Sequence, residues 1–266
     1  MIFSNFESIE RAQAAFDEYF AVGKFGGGIP YTGSKFEAMA DFENPNEFTG
    51  RDIVAVSMLS VNVPAQVSIW LLLGEGRGIT GKLLEQIPAN LDIWEAEEHL
   101  AEGKPLWELW EELIGRHGVG DTISSKLLAA KRPRLAPIWD SVVGTVFGAS
   151  EDYWREFRIA LEESELRERV LLATKNAPPN ISMLRRVDVV IWMLNRYKRA
   201  TLSPPRVSAK TLDPDLQVNP GAEGAVKVFD KLSKKANSRC HIYFKSRQAC
   251  FSGHPDATVF SNSIFD

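Results

Sequence analysis

The chain has 266 residues, of which 44% are hydrophobic and 25% charged, values typical of a globular protein large enough to bury a sizeable core. No apolar run approaches the ~20 residues that a membrane-spanning helix needs, and two cysteines are too few for a disulfide scaffold. The net charge of −4 is unevenly spread, because residues 1–130 carry 9 Lys and Arg against 20 Asp and Glu, whereas residues 131–266 carry 22 against 15.

This composition also bears on partners and location. A chain with an acidic first half and a basic second half can present a basic face to a polyanion such as a nucleic acid. The low cysteine content favours a reducing compartment, and the first residues lack the basic and long apolar regions of a signal peptide. We therefore expect a cytoplasmic protein that is monomeric and has no membrane partner.

Apolar residues at helical spacing predict short helices over most of the first 200 residues. The predicted helices span 7–20, 52–59, 64–73, 81–86, 91–101, 105–114, 122–130, 141–147, 151–161, 165–174 and 182–198. No strand pattern competes with them, so we predict an all-α domain over 1–200. Beyond it, Pro, Gly and small polar residues predict a linker and a small, basic, irregular C-terminal segment over 201–266.

The most informative segment is 117–128, which reads His-Gly-Val-Gly-Asp-Thr-Ile-Ser-Ser-Lys-Leu-Leu. Its Gly-x-Gly follows one predicted helix and opens the next. Two glycines allow a turn tight enough to expose backbone N–H groups at the N-terminus of a helix, which suits a DNA phosphate. We predict that Gly118, Val119 and Gly120 bind DNA through this turn.

This segment resembles the helix-hairpin-helix of the endonuclease III-like DNA glycosylases, whose hairpin reads roughly Leu-Pro-Gly-Val-Gly-x-Lys-Thr-Ala. In that superfamily an essential aspartate follows at the start of a helix. Here Asp140 lies 18 residues beyond Thr122, the position that matches the superfamily's lysine. The resemblance covers roughly residues 50–200, and it implies a multi-helix glycosylase-like fold in which Asp140 is the catalytic carboxylate. Trp139 replaces a smaller residue of the superfamily, and it is expected either to line the base pocket or to belong to the core.

A second resemblance lies upstream, where 59–62 reads Leu-Ser-Val-Asn. It is similar to the turn from which related enzymes insert a polar side chain into the gap left by a flipped base. This similarity implies that Asn62 is such a wedge. The alternative is that Asn62 only caps the helix predicted to open at Pro64.

Departures from the superfamily pattern limit the chemistry. Thr122 replaces the lysine that attacks the sugar in bifunctional members, and a threonine cannot form a Schiff base. We therefore expect a monofunctional enzyme that uses water. Two cysteines cannot hold the four-cysteine iron–sulfur cluster of some members, so no cofactor is expected. Val56 stands where adenine-excising relatives have a second carboxylate.

The role of Asp140 follows from the reaction. Breaking an N-glycosidic bond builds positive charge on the deoxyribose, and a nearby carboxylate stabilises that charge or orients the attacking water. Side chains near the turn are expected to hold the DNA backbone. These predicted DNA contacts are Thr122, Lys126, Lys131, Arg132 and Arg134.

Plainer interpretations of the same residues remain open. Asp140 is also a typical helix N-cap, the basic run 131–134 is equally a solvated loop, and Asp188 is expected to pair with Arg185 rather than act on a substrate. A non-catalytic DNA-binding module is the main alternative to an enzyme, and a cavity beside Asp140 would favour the enzyme. Late in the chain lie four residues whose side chains can bind zinc, namely Cys240, His241, Cys250 and His254. Their spacing fits no established zinc-site pattern, so no metal is predicted.

Overall fold

The computed structural model of the protein describes residues 2–147 and 152–196, and among them it contains eleven α-helices and no strand. The helices are α1 (Ile9–Phe20), α2 (Phe36–Met39), α3 (Gly50–Met58), α4 (Ala65–Leu72), α5 (Gly76–Gln86), α6 (Pro105–Ile114), α7 (Asp121–Lys131), α8 (Ser141–Phe147), α9 (Tyr153–Glu162), α10 (Ser164–Ala173) and α11 (Met183–Asn195). Short 3-10 helices lie at Phe3–Phe6, Gly23–Phe25, Thr32–Lys35, Ile93–Glu95 and Glu97–His99. The all-α prediction is confirmed for this part of the chain, in which no helix has the length and apolar character needed to span a membrane.

The chain divides into two units, Met1–Pro204 and Pro205–Asp266. All of the described residues lie in the first unit. The predicted C-terminal segment 201–266 lies outside the described residues, and so do the cysteines and histidines considered above as a zinc site.

Polar residues at the helix ends explain where several helices begin. The Ser8 hydroxyl accepts a hydrogen bond from the Arg11 N–H (3.2 Å) ahead of α1. At α3, the Asp52 carboxylate accepts from the Thr49 N–H (2.7 Å). Pro105 is the first residue of α6, where its missing N–H costs nothing. The sequence therefore encodes these boundaries locally, through caps that satisfy the first N–H groups of a helix.

Helix α11 lies in the core of the domain. It packs against α1 and α8, and it fully buries Val189, Val190 and Ile191. A helix that is buried around most of its circumference is typical of a central position. Because α11 also carries Arg185 and Asp188, both 5% exposed, it brings charged groups into the interior.

Helix α2 was not predicted, and two further segments differ from the helical predictions. The pattern at 91–101 predicts one helix, whereas the structure has two 3-10 turns there. The Ile93 N–H instead donates to the Arg134 carbonyl (3.0 Å), so a contact with a distant segment replaces a helical hydrogen bond. Helix α5 begins at Gly76, ahead of the predicted start at 81. Glycine weakens the helical pattern, but Gly76 is needed because a Cβ there would lie 2.3 Å from a ring carbon of Trp70.

Candidate functional site

A cavity of about 470 Å³ opens beside Asp140, and we call it the Asp140 cavity. Its walls come from α1, the segment 31–33, the turn 58–61 after α3, helices α7 and α11, and the start of α8. Thr122, Lys126 and Asp140, which the sequence analysis singled out, meet at this cavity. The other lining residues with bearing on its chemistry are Tyr19, Tyr31, Arg185, Asp188 and Trp192.

Asp140 caps helix α8 with only one of its carboxylate oxygens. Its Oδ1 accepts from the N–H groups of Val142 (2.8 Å) and Val143 (2.9 Å), which confirms the N-cap interpretation. The Oδ2 atom has no hydrogen-bond partner among the described residues, and the half-buried side chain lines the cavity. Capping fixes the orientation of the carboxylate and leaves one oxygen available to a ligand.

Ser125 on α7 holds the backbone just before Asp140. Its hydroxyl accepts from the Trp139 N–H (3.0 Å) and lies 3.2 Å from the Trp139 carbonyl, to which it can donate. Ser125 therefore ties α7 to the segment that carries Asp140, so these two walls of the cavity are held together.

Lys126 lies in the cavity wall instead of on an open surface. It is 3% exposed, and its Nζ donates to the Leu59 carbonyl (2.9 Å). Burial lowers the pKa of the Lys126 ammonium from its usual value, an effect that the nearby carboxylates of Asp140 and Asp188 oppose. The predicted contact of Lys126 with the DNA backbone is corrected, because a phosphate on the surface cannot reach an amine at this depth.

Arg185 organises a buried polar network at the cavity. Its guanidinium donates to the Glu37 carboxylate (2.8 Å), the Tyr19 hydroxyl (2.8 Å) and the Gly33 carbonyl (2.7 Å). It also pairs with Asp188 Oδ2, which confirms the predicted pair on α11. Burial raises the pKa of the Asp188 carboxyl to about 6, although the Arg185 charge works in the opposite direction. The sequence did not indicate that Asp188 also lines the cavity.

Stacked aromatic rings form one wall of the cavity. Tyr19 and Tyr31 lie parallel, with ring centroids 5.4 Å apart, and Trp192 meets Tyr31 edge-on at 5.8 Å. Arg185 lies over the Tyr19 ring at 5.3 Å. A Cβ at Gly33 would lie 2.0 Å from the Tyr19 hydroxyl, so only glycine fits beside this wall. The rings pack against one another and against the Arg185 guanidinium, and these contacts make the wall rigid.

The α6–α7 turn, residues 115–120, lies next to the cavity residue Thr122. Gly118 has φ +82°, a conformation that favours glycine, and a Cβ on it would lie 3.1 Å from Pro64. Gly118 and Gly120 are exposed, and their N–H groups have no acceptor within the described part of the chain. Val119 differs, because its N–H donates to the Arg116 carbonyl (3.0 Å) and its side chain is buried. The predicted DNA contact of Val119 is therefore corrected to a core contact.

The basic run after α7 is not a surface patch. Lys131 Nζ pairs with Asp52 (2.6 Å), and both side chains are completely buried. Arg132 is also completely buried, and its guanidinium donates to the carbonyls of Ile87 (2.9 Å) and Pro45 (2.6 Å). Burial lowers the pKa of Arg132 to about 10. Both the phosphate-contact and the solvated-loop interpretations are wrong for Lys131 and Arg132, which instead tie α7 to earlier segments.

Three further predicted residues lie outside the cavity lining. Arg134 is exposed but pairs with Asp92 (Nε to Oδ1, 2.8 Å). Asn62 is exposed and does not cap α4, which follows Pro64 without a side-chain cap. The Trp139 ring packs against Tyr153 at 4.6 Å between centroids. Trp139 therefore belongs to the aromatic packing behind α8, and its predicted place in the base pocket is corrected.

Comparisons with known proteins give one match. The family described as "Family of unknown function (DUF6308)" matches residues 12–195. This span includes every residue that lines the Asp140 cavity. No curated protein and no solved structure gives a significant match to the chain.

Proposed function

The chain belongs to the family of unknown function DUF6308, and we propose that this member is a monofunctional DNA glycosylase. It hydrolyses the N-glycosidic bond of a base that is turned out of the duplex into the Asp140 cavity. The observation that carries this proposal is the carboxylate of Asp140, held by two N–H groups on one oxygen and open to a cavity on the other.

The cavity has the size and the charge that this chemistry needs. Its volume of about 470 Å³ lies within the ~300–1,000 Å³ typical of small-molecule sites, so it has room for a base and its sugar. Hydrolysis proceeds through an oxocarbenium-like state, which a fixed carboxylate stabilises. Asp140 is fixed by its capping bonds, so little reorganisation is needed when the positive charge develops.

The α6–α7 turn supports DNA as the substrate. The free N–H groups of Gly118 and Gly120 are exposed at the N-terminal end of α7, a suitable place for an anionic phosphate. Thr122, only two residues further, lines the cavity. A phosphate held at the turn would therefore keep the neighbouring nucleotide close to Asp140. In this proposal the grip on the backbone comes from main-chain groups, since Lys131 and Arg132 are buried.

The test is base release from duplexes that each carry one modified or mismatched base, followed by alkaline cleavage of the abasic sites. Asp140→Asn keeps most of the capping ability and removes the charge. We expect release to fall roughly a hundred- to thousandfold, since one electrostatic contact of this kind is worth ~3–4 kcal/mol in the transition state. The melting temperature should change little.

Asp152→Asn is the matched control. Asp152 caps α9 by accepting from the Arg155 N–H (3.4 Å) and does not line the cavity. Its replacement should leave base release unchanged. Equal rates of base release by Asp140→Asn and Asp152→Asn would mean that Asp140 is only a helix cap, and this result would overturn the proposal.

The second candidate is a DNA-binding protein without catalysis, which the free N–H groups of the α6–α7 turn favour equally. It predicts that the wild-type protein and Asp140→Asn bind duplex DNA alike. It also predicts that no duplex in the panel loses a base. Base release by the wild-type protein that depends on Asp140 separates the enzyme from this candidate.

A further inference from the structure

The buried charges beside the Asp140 cavity do not balance. The Arg185 guanidinium contacts two carboxylates, Glu37 and Asp188, and all three side chains are 5–7% exposed. Two buried carboxylates therefore share the positive charge of one guanidinium. A buried carboxylate that lacks a counter-ion of its own binds a proton more readily than one in water. The cluster is therefore suited to hold one dissociable proton.

Asp188 is the carboxyl whose proton can reach a ligand. Its Oδ2 pairs with Arg185, whereas Oδ1 has no hydrogen-bond partner among the described residues and the side chain lines the cavity. Glu37 does not line this cavity, and its free Oε2 is buried in the interior. A proton on Asp188 would sit where a bound base can accept it, whereas a proton on Glu37 would not.

Groups from three neighbouring elements face Asp188 in addition to Arg185 on its own helix. Lys126 on α7 favours the ionised carboxylate, and Asp140 at the start of α8 disfavours it. Tyr19 on α1 is bound to the same guanidinium and is neutral at ordinary pH. Burial is the largest effect and brings the pKa of Asp188 to about 6. A carboxyl of this kind gives up its proton close to neutral pH, as a general acid should.

We propose that Asp188 is the general acid of this site, which protonates the base as it leaves while Asp140 stabilises the sugar. This inference rests on the proposed glycosylase function. The C1′–N bond breaks and its electron pair goes to the base, which takes the proton of Asp188 and leaves as a neutral molecule. Water adds to C1′ and passes its proton to Asp140, from which it returns to solvent. Two carboxyl groups in unlike environments thereby divide the acid and electrostatic roles.

The charge of the leaving base provides the test. A neutral base leaves as an anion unless it is protonated, so a general acid speeds its departure, whereas a base that is already cationic leaves as a neutral molecule without a proton. The probes are duplexes that carry hypoxanthine or uracil (neutral bases) and duplexes that carry 7-methylguanine (a cationic base). We expect Asp188→Asn to slow release of a neutral base about a hundredfold or more and to change release of 7-methylguanine less than threefold.

The wild-type protein gives the same comparison without a substitution. Its rate with a neutral base should fall as the pH rises above about 6, the value to which burial raises the Asp188 pKa, and its rate with 7-methylguanine should not. Asp140→Asn should slow both classes, since both form the same charged sugar. This distinguishes the acid from the carboxylate that stabilises the sugar.

Three outcomes would overturn the assignment of Asp188. One is an equal loss on both classes of base, which is the result of a structural role. Another is a wild-type pH profile that is the same for both classes. The third is release of 7-methylguanine alone, because release of a cationic base needs no general acid. If the wild-type protein releases no base from these duplexes or from the panel of modified and mismatched bases, the glycosylase proposal falls, and the inference falls with it.

Discussion

Asp188 is the residue whose ionisation should be visible in the stability of the protein. An unfolded aspartate titrates near pH 3.9, and burial raises the folded pKa to about 6. Between these values the folded state keeps a proton that the unfolded state releases. The free energy of unfolding that Asp188 contributes is therefore fully present below about pH 4 and is lost as the pH rises through about 6.

We predict that Asp188→Asn removes this dependence. The difference in unfolding free energy between the wild type and Asp188→Asn, measured by urea denaturation from pH 4 to pH 7, should shift in favour of the variant as the pH rises. The slope of this difference isolates Asp188 from the other groups that titrate in the same range. A constant difference would mean that Asp188 is ionised throughout and that its pairing with Arg185 outweighs burial.

Lys126 places an amine in the cavity even though Thr122 occupies the position of the superfamily's lysine. Burial lowers the pKa of the Lys126 ammonium, an effect that the carboxylates of Asp140 and Asp188 oppose, and its Nζ donates to the Leu59 carbonyl (2.9 Å). To attack the sugar, this amine would have to lose both its proton and its hydrogen bond to Leu59. We therefore predict that the products are intact abasic sites and that borohydride traps no protein–DNA adduct.

The variant Lys126→Gln tests whether Lys126 is the amine in any adduct that borohydride traps. A trapped adduct with the wild-type protein that disappears in Lys126→Gln would identify Lys126 as the attacking amine. The enzyme would then be bifunctional, contrary to the prediction from Thr122. An adduct that persists in the variant would point to another amine in the chain.

At the scale of elements, the α6–α7 turn is expected to hold DNA through main-chain N–H groups. Gly118→Ala strains a residue at φ +82° and brings a Cβ to 3.1 Å from Pro64. If this displaces one or two N–H contacts of ~1 kcal/mol each, affinity falls about five- to thirtyfold. The loss should be similar for all DNA sequences, and the salt dependence of binding should become shallower.

Gly103→Ala is the matched control for backbone strain. Gly103 has φ +74°, no atom lies within 4 Å of a Cβ built on it, and it precedes α6 at the end away from the turn. Both alanine variants should lose about 1 kcal/mol of stability, measured by thermal or urea unfolding. Only Gly118→Ala should lose affinity in a binding titration. Equal affinities would remove the turn from the DNA interface.

The elements also show which features a sequence can specify. Helices α6 and α8 begin where the pattern predicts, because Pro105 and Asp140 act on the first turn of their own helices. The prediction for the basic run at 131–134 is wrong, since four of the five hydrogen bonds of the Arg132 guanidinium go to residues more than 40 positions away. Local signals can be found in a sequence, whereas a buried cation that depends on distant carbonyls cannot.

At the scale of the whole molecule, the candidate site was predictable only in part. The spacing from Thr122 to Asp140 identified two residues that do line one cavity. Apart from the Arg185–Asp188 pair, the aromatic wall and the Arg185 network gave no signal, because they join distant parts of the domain: Tyr19 and Arg185 are 166 residues apart. No periodicity of a helix or a strand extends over such a separation.

That separation has a consequence for the protein during its synthesis. The cavity needs α1 from the start of the chain and α11 from near the end of the domain, and contacts between distant residues form late because closing a long loop is costly. A growing chain can form the α6–α7 turn from neighbouring residues before α11 has emerged from the ribosome. It would then carry the turn that we propose binds DNA, without the wall that supplies Arg185, Asp188 and Trp192. Under the proposed function, base removal would begin only after α11 has folded onto the domain, and an incomplete chain would leave DNA chemically intact.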